Sequence, residues 1–205
     1  MNKQHIVDEA MKLFLLQGVK STTMDDIAKH LGISKRTIYE NFKDKSDLLN
    51  EGINMMHGSE MEESENLRKQ TDNVMEAMLL NIKRKREQFS RRKMRMLLDI
   101  KRYYPAVYAE HANRDAEIGL AKLSELFETG IRQGVFREDI NPKTTAFLFS
   151  EQARLLFTEQ AEKWEIETEK FDFSGVQVFE DLFMNFLRGI ATPKGLEIII
   201  KNNNK

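Results

Sequence analysis

Ser34-Lys-Arg-Thr-Ile-Tyr39 puts five hydrogen-bonding side chains into six positions, arranged around a single isoleucine. On a helix, Lys35 and Arg36 can reach guanine edges or phosphates, and Thr37 can contact a thymine methyl or a phosphate. Tyr39 is amphipathic, so its ring can pack on a neighbour while its hydroxyl bonds an anionic oxygen. Ser34 is a favourable N-cap for that helix. Upstream, Thr22 and Thr23 each have an aspartate three positions on (Asp25, Asp26), a near match to the capping box. Thr22, Thr23 and Lys45 thus fall at helix starts, where free backbone N–H groups favour an anion. Any one of these residues alone reads as a solvated cap or surface charge. In this order they point to a surface that grips a polyanion and reads base edges.

Such a surface needs elements to hold it. Ile27, Ala28 and Leu31 recur at helical spacing, and Gly32 stands where a left-handed residue ends a helix. Ile38 and Phe42 are left to seat the helix that follows. Two short amphipathic helices bury little by themselves, and residues 3–17 supply a third through Ile6, Ala10, Leu13 and Phe14, ending at Gly18. The layout is that of a helix-turn-helix, whose second helix enters the DNA major groove.

In its order of parts the chain resembles the tetracycline-repressor (TetR) family of one-component bacterial regulators. The resemblance is carried by an amphipathic helix ending in Gly-Val, then Thr-Thr-Met-Asp-Asp-Ile-Ala, then Leu-Gly-Ile-Ser. The run Thr-Ile-Tyr-x-x-Phe-Lys-x-Lys-x-x-Leu-Leu is its most specific piece. Beyond residue 50 only the helical layout and Gly134-Val-Phe-Arg-Glu-Asp-Ile-Asn-Pro142 are similar. Asn41 departs from the pattern, which usually has a histidine or aromatic residue there. The resemblance implies a homodimer, repression at a palindromic operator, and release by a small-molecule effector.

Composition sets the bounds. With 205 residues there is room for a small head, expected at 1–46, and a larger helical body, expected at 47–205. The net charge is −1, and residues 1–50 hold eight Lys/Arg against seven Asp/Glu, so a nucleic-acid signal lies in placement. There is no cysteine, which excludes disulfides and thiolate metal sites. No apolar run approaches the ~18 residues of a membrane span, so the expectation is a soluble, cytoplasmic protein without a membrane partner. Three prolines and abundant Leu, Lys, Glu and Met favour an all-α fold. The histidines (His5, His30, His57, His111) are scattered, and there is no phosphate-cradling glycine loop or Gly-x-Ser-x-Gly. No enzyme and no cofactor is expected. A helical adaptor that binds only protein would explain the apolar helices but not the 22–45 head.

Periodicity predicts body helices over about 45–69, 72–89, 92–104, 114–133, 142–163 and 174–188, with Pro105 ending or kinking the third. Gly195-Leu-Glu-Ile-Ile-Ile200 is rich in β-branched residues but has no partner strand, and is expected as an ordered tail. The last two long helices carry an apolar width that suits either an intramolecular core or a four-helix dimer interface. Phe149, Leu156, Phe179, Leu182, Phe183 and Phe186 are the interface candidates.

Soft and aromatic side chains of the middle helices suit an apolar or amphipathic effector cavity as well as plain packing. The candidates are Met55, Met75, Met78, Phe89, Met94, Leu98, Tyr103, Tyr104, Tyr108 and Phe127. Finally, eight cations lie within residues 83–95, opposite in character to Glu60-Met-Glu-Glu-Ser-Glu65. At ~1.5 Å per residue, a helix starting at the DNA carries that acidic cluster away from it, and the return helix brings the basic run back. A solvated face, a long-range field for DNA and an anionic effector are the readings open to the run.

Overall fold

The computed structural model describes residues 2–88, 91–155 and 175–203, and they form an all-α fold with no strand among them. In chain order the helices are α1 (Lys3–Gln17), α2 (Met24–Leu31), α3 (Lys35–Tyr39), α4 (Lys45–Lys69) and α5 (Val74–Gln88). They continue with α6 (Arg91–Tyr103), α7 (Pro105–Arg132), α8 (Pro142–Leu155), α9 (Gly175–Ile190) and α10 (Pro193–Asn203). Phe89, Leu156 and the side chain of Met94 lie outside what is described, as does the expected continuation of α8 to residue 163. No helix among the described residues is long and apolar enough to cross a membrane.

The chain divides into two compact units. The first comprises Met1–Met61 and Ser90–Arg114. Its core is made by Ile6, Ala10 and Phe14 of α1, Ile27 of α2, Ile38, Phe42, Leu48 and Leu49, closed by Met96 and Ile100 of α6. The head helices therefore do not close on themselves: α6, from the middle of the chain, packs against α1. The second unit comprises Glu62–Phe89 and Asp115–Lys205. Its core gathers Val74, Met75 and Met78 of α5, Phe127 of α7, Val135, Phe136, and Phe179, Phe183 and Leu187 of α9.

Two elements differ from the sequence expectation. Pro105 does end α6, but it also opens α7, nine residues before the expected start at Arg114. Proline is well suited to the first helical position, where its missing N–H costs no intrahelical bond. The Gly195–Ile200 segment, expected as an ordered tail, is helical. Thr192 caps it, accepting the Gly195 N–H at 3.1 Å on its hydroxyl and the Leu196 N–H at 2.9 Å on its carbonyl. Pro193 follows at the first position, and Ile199 is buried where α10 packs on α5. Capping and tertiary burial here outweigh a β-branched preference of a few tenths of a kcal/mol per residue.

The Gly134–Pro142 phrase is an ordered link. Val135 and Phe136 are fully buried, and Asn141 caps α8 by accepting the Thr144 N–H at 3.0 Å. The Arg137 N–H donates to the Ile190 carbonyl at 3.0 Å, tying the link to the end of α9.

Candidate nucleic-acid interface

The start of α2 is defined by a reciprocal cap. Thr23 Oγ1 accepts the Asp26 N–H at 3.1 Å, and the Asp26 carboxylate accepts the Thr23 N–H at 2.9 Å. A cap of this kind contributes about 1 kcal/mol. Gly32 ends the helix at φ 64°, a left-handed conformation that costs a side-chain-bearing residue but not glycine. Ser34 then caps α3, accepting the Thr37 N–H at 3.1 Å. Fully buried Ile38 seats α3 on the core, which turns its neighbours outward.

The outward face carries Ser34, Lys35, Arg36 and Tyr39, with Thr37 half-buried beside them. Arg36 is the most exposed, its side chain 89% accessible and paired with Glu40 at 2.9 Å. Lys35 pairs with Asp25 of α2. Exposed pairs of this type are worth about 0–1 kcal/mol, so either cation can exchange its carboxylate for a phosphate or a base. Tyr39 is half exposed. Asn41, the departure from the family pattern, uses its side-chain amide to cap α3, donating to the Thr37 carbonyl at 2.8 Å. Lys43, overlooked in the sequence reading, is exposed in the turn before α4. The signal available for it was its place just ahead of Asp44, which caps α4 by accepting the Asp47 N–H at 2.9 Å.

Two residues of the expected set do not join this face. Thr22 is fully buried, and its hydroxyl donates to the Gly18 carbonyl at 2.8 Å, closing the α1–α2 turn from inside. Of the two candidate caps only Thr23 is exposed. Lys45 is also turned inward: its ammonium donates to the carbonyls of Val19 and Thr22. Burial pushes its pKa below the usual lysine range, opposed by the charges of Asp99 and Asp26.

The head also carries an electrostatic tie between α1 and α2. Glu9 meets Lys12 at 2.7 Å and His30 at 2.8 Å. The Lys12 hydrogen bond first, and the His30 bond second, hold the Glu9 carboxyl down at about 2 from an ordinary 4.5. A depressed folded-state pKa means stabilisation that is complete above the unfolded value and is lost as pH falls through the folded one. The tie should therefore weaken between pH 4.5 and 2. Thermal melts followed by circular dichroism should show a steeper acid loss for the wild type than for Glu9→Gln, and parallel curves would refute it.

The expected effector residues divide between the two cores. Met55, Tyr104 and Tyr108 pack against the core of the first unit, where Leu98 is also buried. Met75, Met78 and Phe127 belong to the core of the second. Tyr103 is exposed, with the Lys20 ammonium 4.7 Å from its ring centre. The interface candidates divide too. Phe179 and Phe183 are only 4% exposed and form part of the chain's own core. Phe149, Leu182 and Phe186 are partly exposed. Phe147 and Leu148 of α8, outside the expected set, are 51% and 49% exposed. The basic run meets the acidic cluster instead of standing apart from it: Lys93 pairs with Glu60 at 2.7 Å and Arg84 pairs with Glu63. Arg86 pairs with Glu180 at 3.2 Å.

A sequence profile of the family described as "Bacterial regulatory proteins, tetR family" matches residues 6–51. Over 49 residues the chain is 53% identical to the HTH-type transcriptional regulator AcrR of Shigella flexneri, a match spanning 24% of this chain and 23% of that protein. The chain thus spans about a quarter of the length of the curated relatives it matches. Whole-chain likeness is to folds. A putative transcriptional regulator from Saccharomonospora viridis, solved in complex with choline, superposes with a TM-score of 0.75 at 19% identity, covering 93% of this chain and 97% of that one. SmeT, the repressor of the Stenotrophomonas maltophilia multidrug efflux pump SmeDEF, gives 0.71 at 19% identity, covering 94% and 92%. Residues 6–51 thus match the profile of the tetR family of bacterial regulatory proteins, and the chain as a whole shares the all-α fold of these solved regulators.

Proposed function

We propose that this protein is a transcriptional regulator that binds a palindromic operator as a homodimer and, as a repressor, leaves it when a small-molecule effector binds. The observation that carries the DNA reading is the exposed face of α3, where Lys35, Arg36 and Tyr39 surround the buried Ile38. Five to six residues suffice, because the N-terminal residues of a recognition helix make the base contacts. Exposed Thr23 and Lys43 flank that face as phosphate contacts, which position the protein without specifying sequence.

Dimerisation is supported by the exposed Phe147 and Leu148 and the partly exposed Phe149, Leu182 and Phe186 of α8 and α9. Apolar groups of this size left at a surface call for a covering partner. An effector is supported by a structural neighbour solved in complex with choline, and repression by another, the repressor of an efflux pump. Catalysis has no part in this reading, and a cytoplasmic location follows from the DNA it would bind.

Selection from a random double-stranded DNA library by the purified chain tests the proposal. The expected product is an inverted repeat with half-site centres about one helical turn apart, or a multiple of it. A selected pool without a shared motif would end the DNA reading, and a single asymmetric site would end the two-fold arrangement.

A further inference from the structure

We propose that Lys45 is a positioning residue and not a phosphate ligand: it pins the turn that starts α2 to the first turn of α4, and so sets how α3 is presented. The inference rests on the DNA-reading proposal above. Lys45 belongs to the charged motif that follows α3, and from its place in the chain it would be counted among the outward cations. Its surroundings point the other way. The ammonium donates to the main-chain carbonyls of Val19 and Thr22, and it lies 5.7 Å from the ring centre of Phe14 and 5.4 Å from that of Tyr104. Two carbonyls and two aromatic rings surround a cation that a phosphate contact would need in the open.

The turn it grips has few other ways to satisfy its backbone. The Gly18 carbonyl is taken by the Thr22 hydroxyl and amide, and the Val19 N–H by Asp99 of α6 at 3.2 Å. Lys45 supplies the remaining donors, so its departure would strand the Val19 and Thr22 carbonyls in a partly buried place. Thr22 immediately precedes the α2 cap, and α3 follows α2 after only Gly32, Ile33 and Ser34. A hinge that short passes the orientation of α2 directly to α3. Lysine suits the site because both carbonyls converge on one compact charge. A planar guanidinium spreads its donors over a wider fork, so arginine should not substitute here, although it would serve a phosphate well.

The test uses the full chain and the duplex obtained by selection against the wild type. Lys45→Met and Lys45→Arg should each lose affinity by roughly tenfold or more. The slope of log affinity against log salt should match the wild type, because no phosphate contact has been removed. A lost phosphate contact would instead make it shallower by about 0.9. Hydrogen exchange should quicken at residues 19–23 and stay unchanged in α5 and α9. In the wild-type complex, which needs no variant to fold, the Lys45 ammonium should keep its scalar coupling to the Val19 and Thr22 carbonyl carbons. Coupling to phosphorus, a shallower salt slope, wild-type affinity in Lys45→Arg or unaltered exchange at 19–23 would each overturn the assignment and leave the DNA reading standing. A wild-type chain that selects no DNA would remove both.

Discussion

Replacing Lys35 and Arg36 together by alanine should weaken binding to the selected duplex by roughly 2–6 kcal/mol, since a good base contact is worth about 1–3. The size of the effect follows from where the structure puts them. Both side chains project from α3 and pair with the exposed carboxylates of Asp25 and Glu40. Nothing in the core depends on them, so the loss should appear in affinity and specificity, with the melting transition nearly unmoved. Titration at fixed salt against the selected and a scrambled duplex measures both. Tyr39→Phe serves as the contrast: it should lower affinity for both duplexes alike, because a phosphate contact positions without discriminating. Unchanged binding in the double variant would remove α3 as the reading surface.

In the second unit the largest effect should come from Phe127→Ala, at about 3–5 kcal/mol of unfolding free energy. Phe127 is fully buried, with the ring of Phe136 centred 5.4 Å away and that of Phe149 5.9 Å away. Phe149 in turn meets Phe183 at 4.8 Å and Phe186 at 5.5 Å. Removing the first ring leaves a cavity beside Phe136 and Phe149, in a close-packed core that relaxes only partly around it. Urea unfolding followed by circular dichroism should show a lower midpoint with little change in slope. A midpoint equal to the wild type would mean that this cluster is not the centre of the core. Phe183→Asp, which places a charge in the same cluster, should unfold this unit and not merely separate subunits.

Features written in neighbouring residues were legible from the sequence. Thr23 with Asp26, Gly32, Ser34 and the span of α4 from Lys45 to Lys69 all depend on hydrogen bonds that reach four positions or fewer. So does the stripe that places Ile6, Ala10 and Phe14 on one side of α1. These interactions are set by helical geometry, and the chain needs no knowledge of its distant parts to make them. Tertiary structure decided which way a side chain faces once two elements compete for it. Thr22 and Thr23 are equivalent as sequence, yet one is buried under the α1–α2 turn and the other is exposed. Lys45 turns inward because Val19, Thr22, Phe14 and Tyr104 converge on it, and Tyr104 is 59 positions away along the chain, by the difference of the two residue numbers. Phe183 and Leu182 share one apolar stripe, but only α5 and α8 determine that the first is core and the second partly exposed. Burial is a property of the assembled neighbours, and a local pattern can mark a residue as apolar or charged without fixing what will cover it.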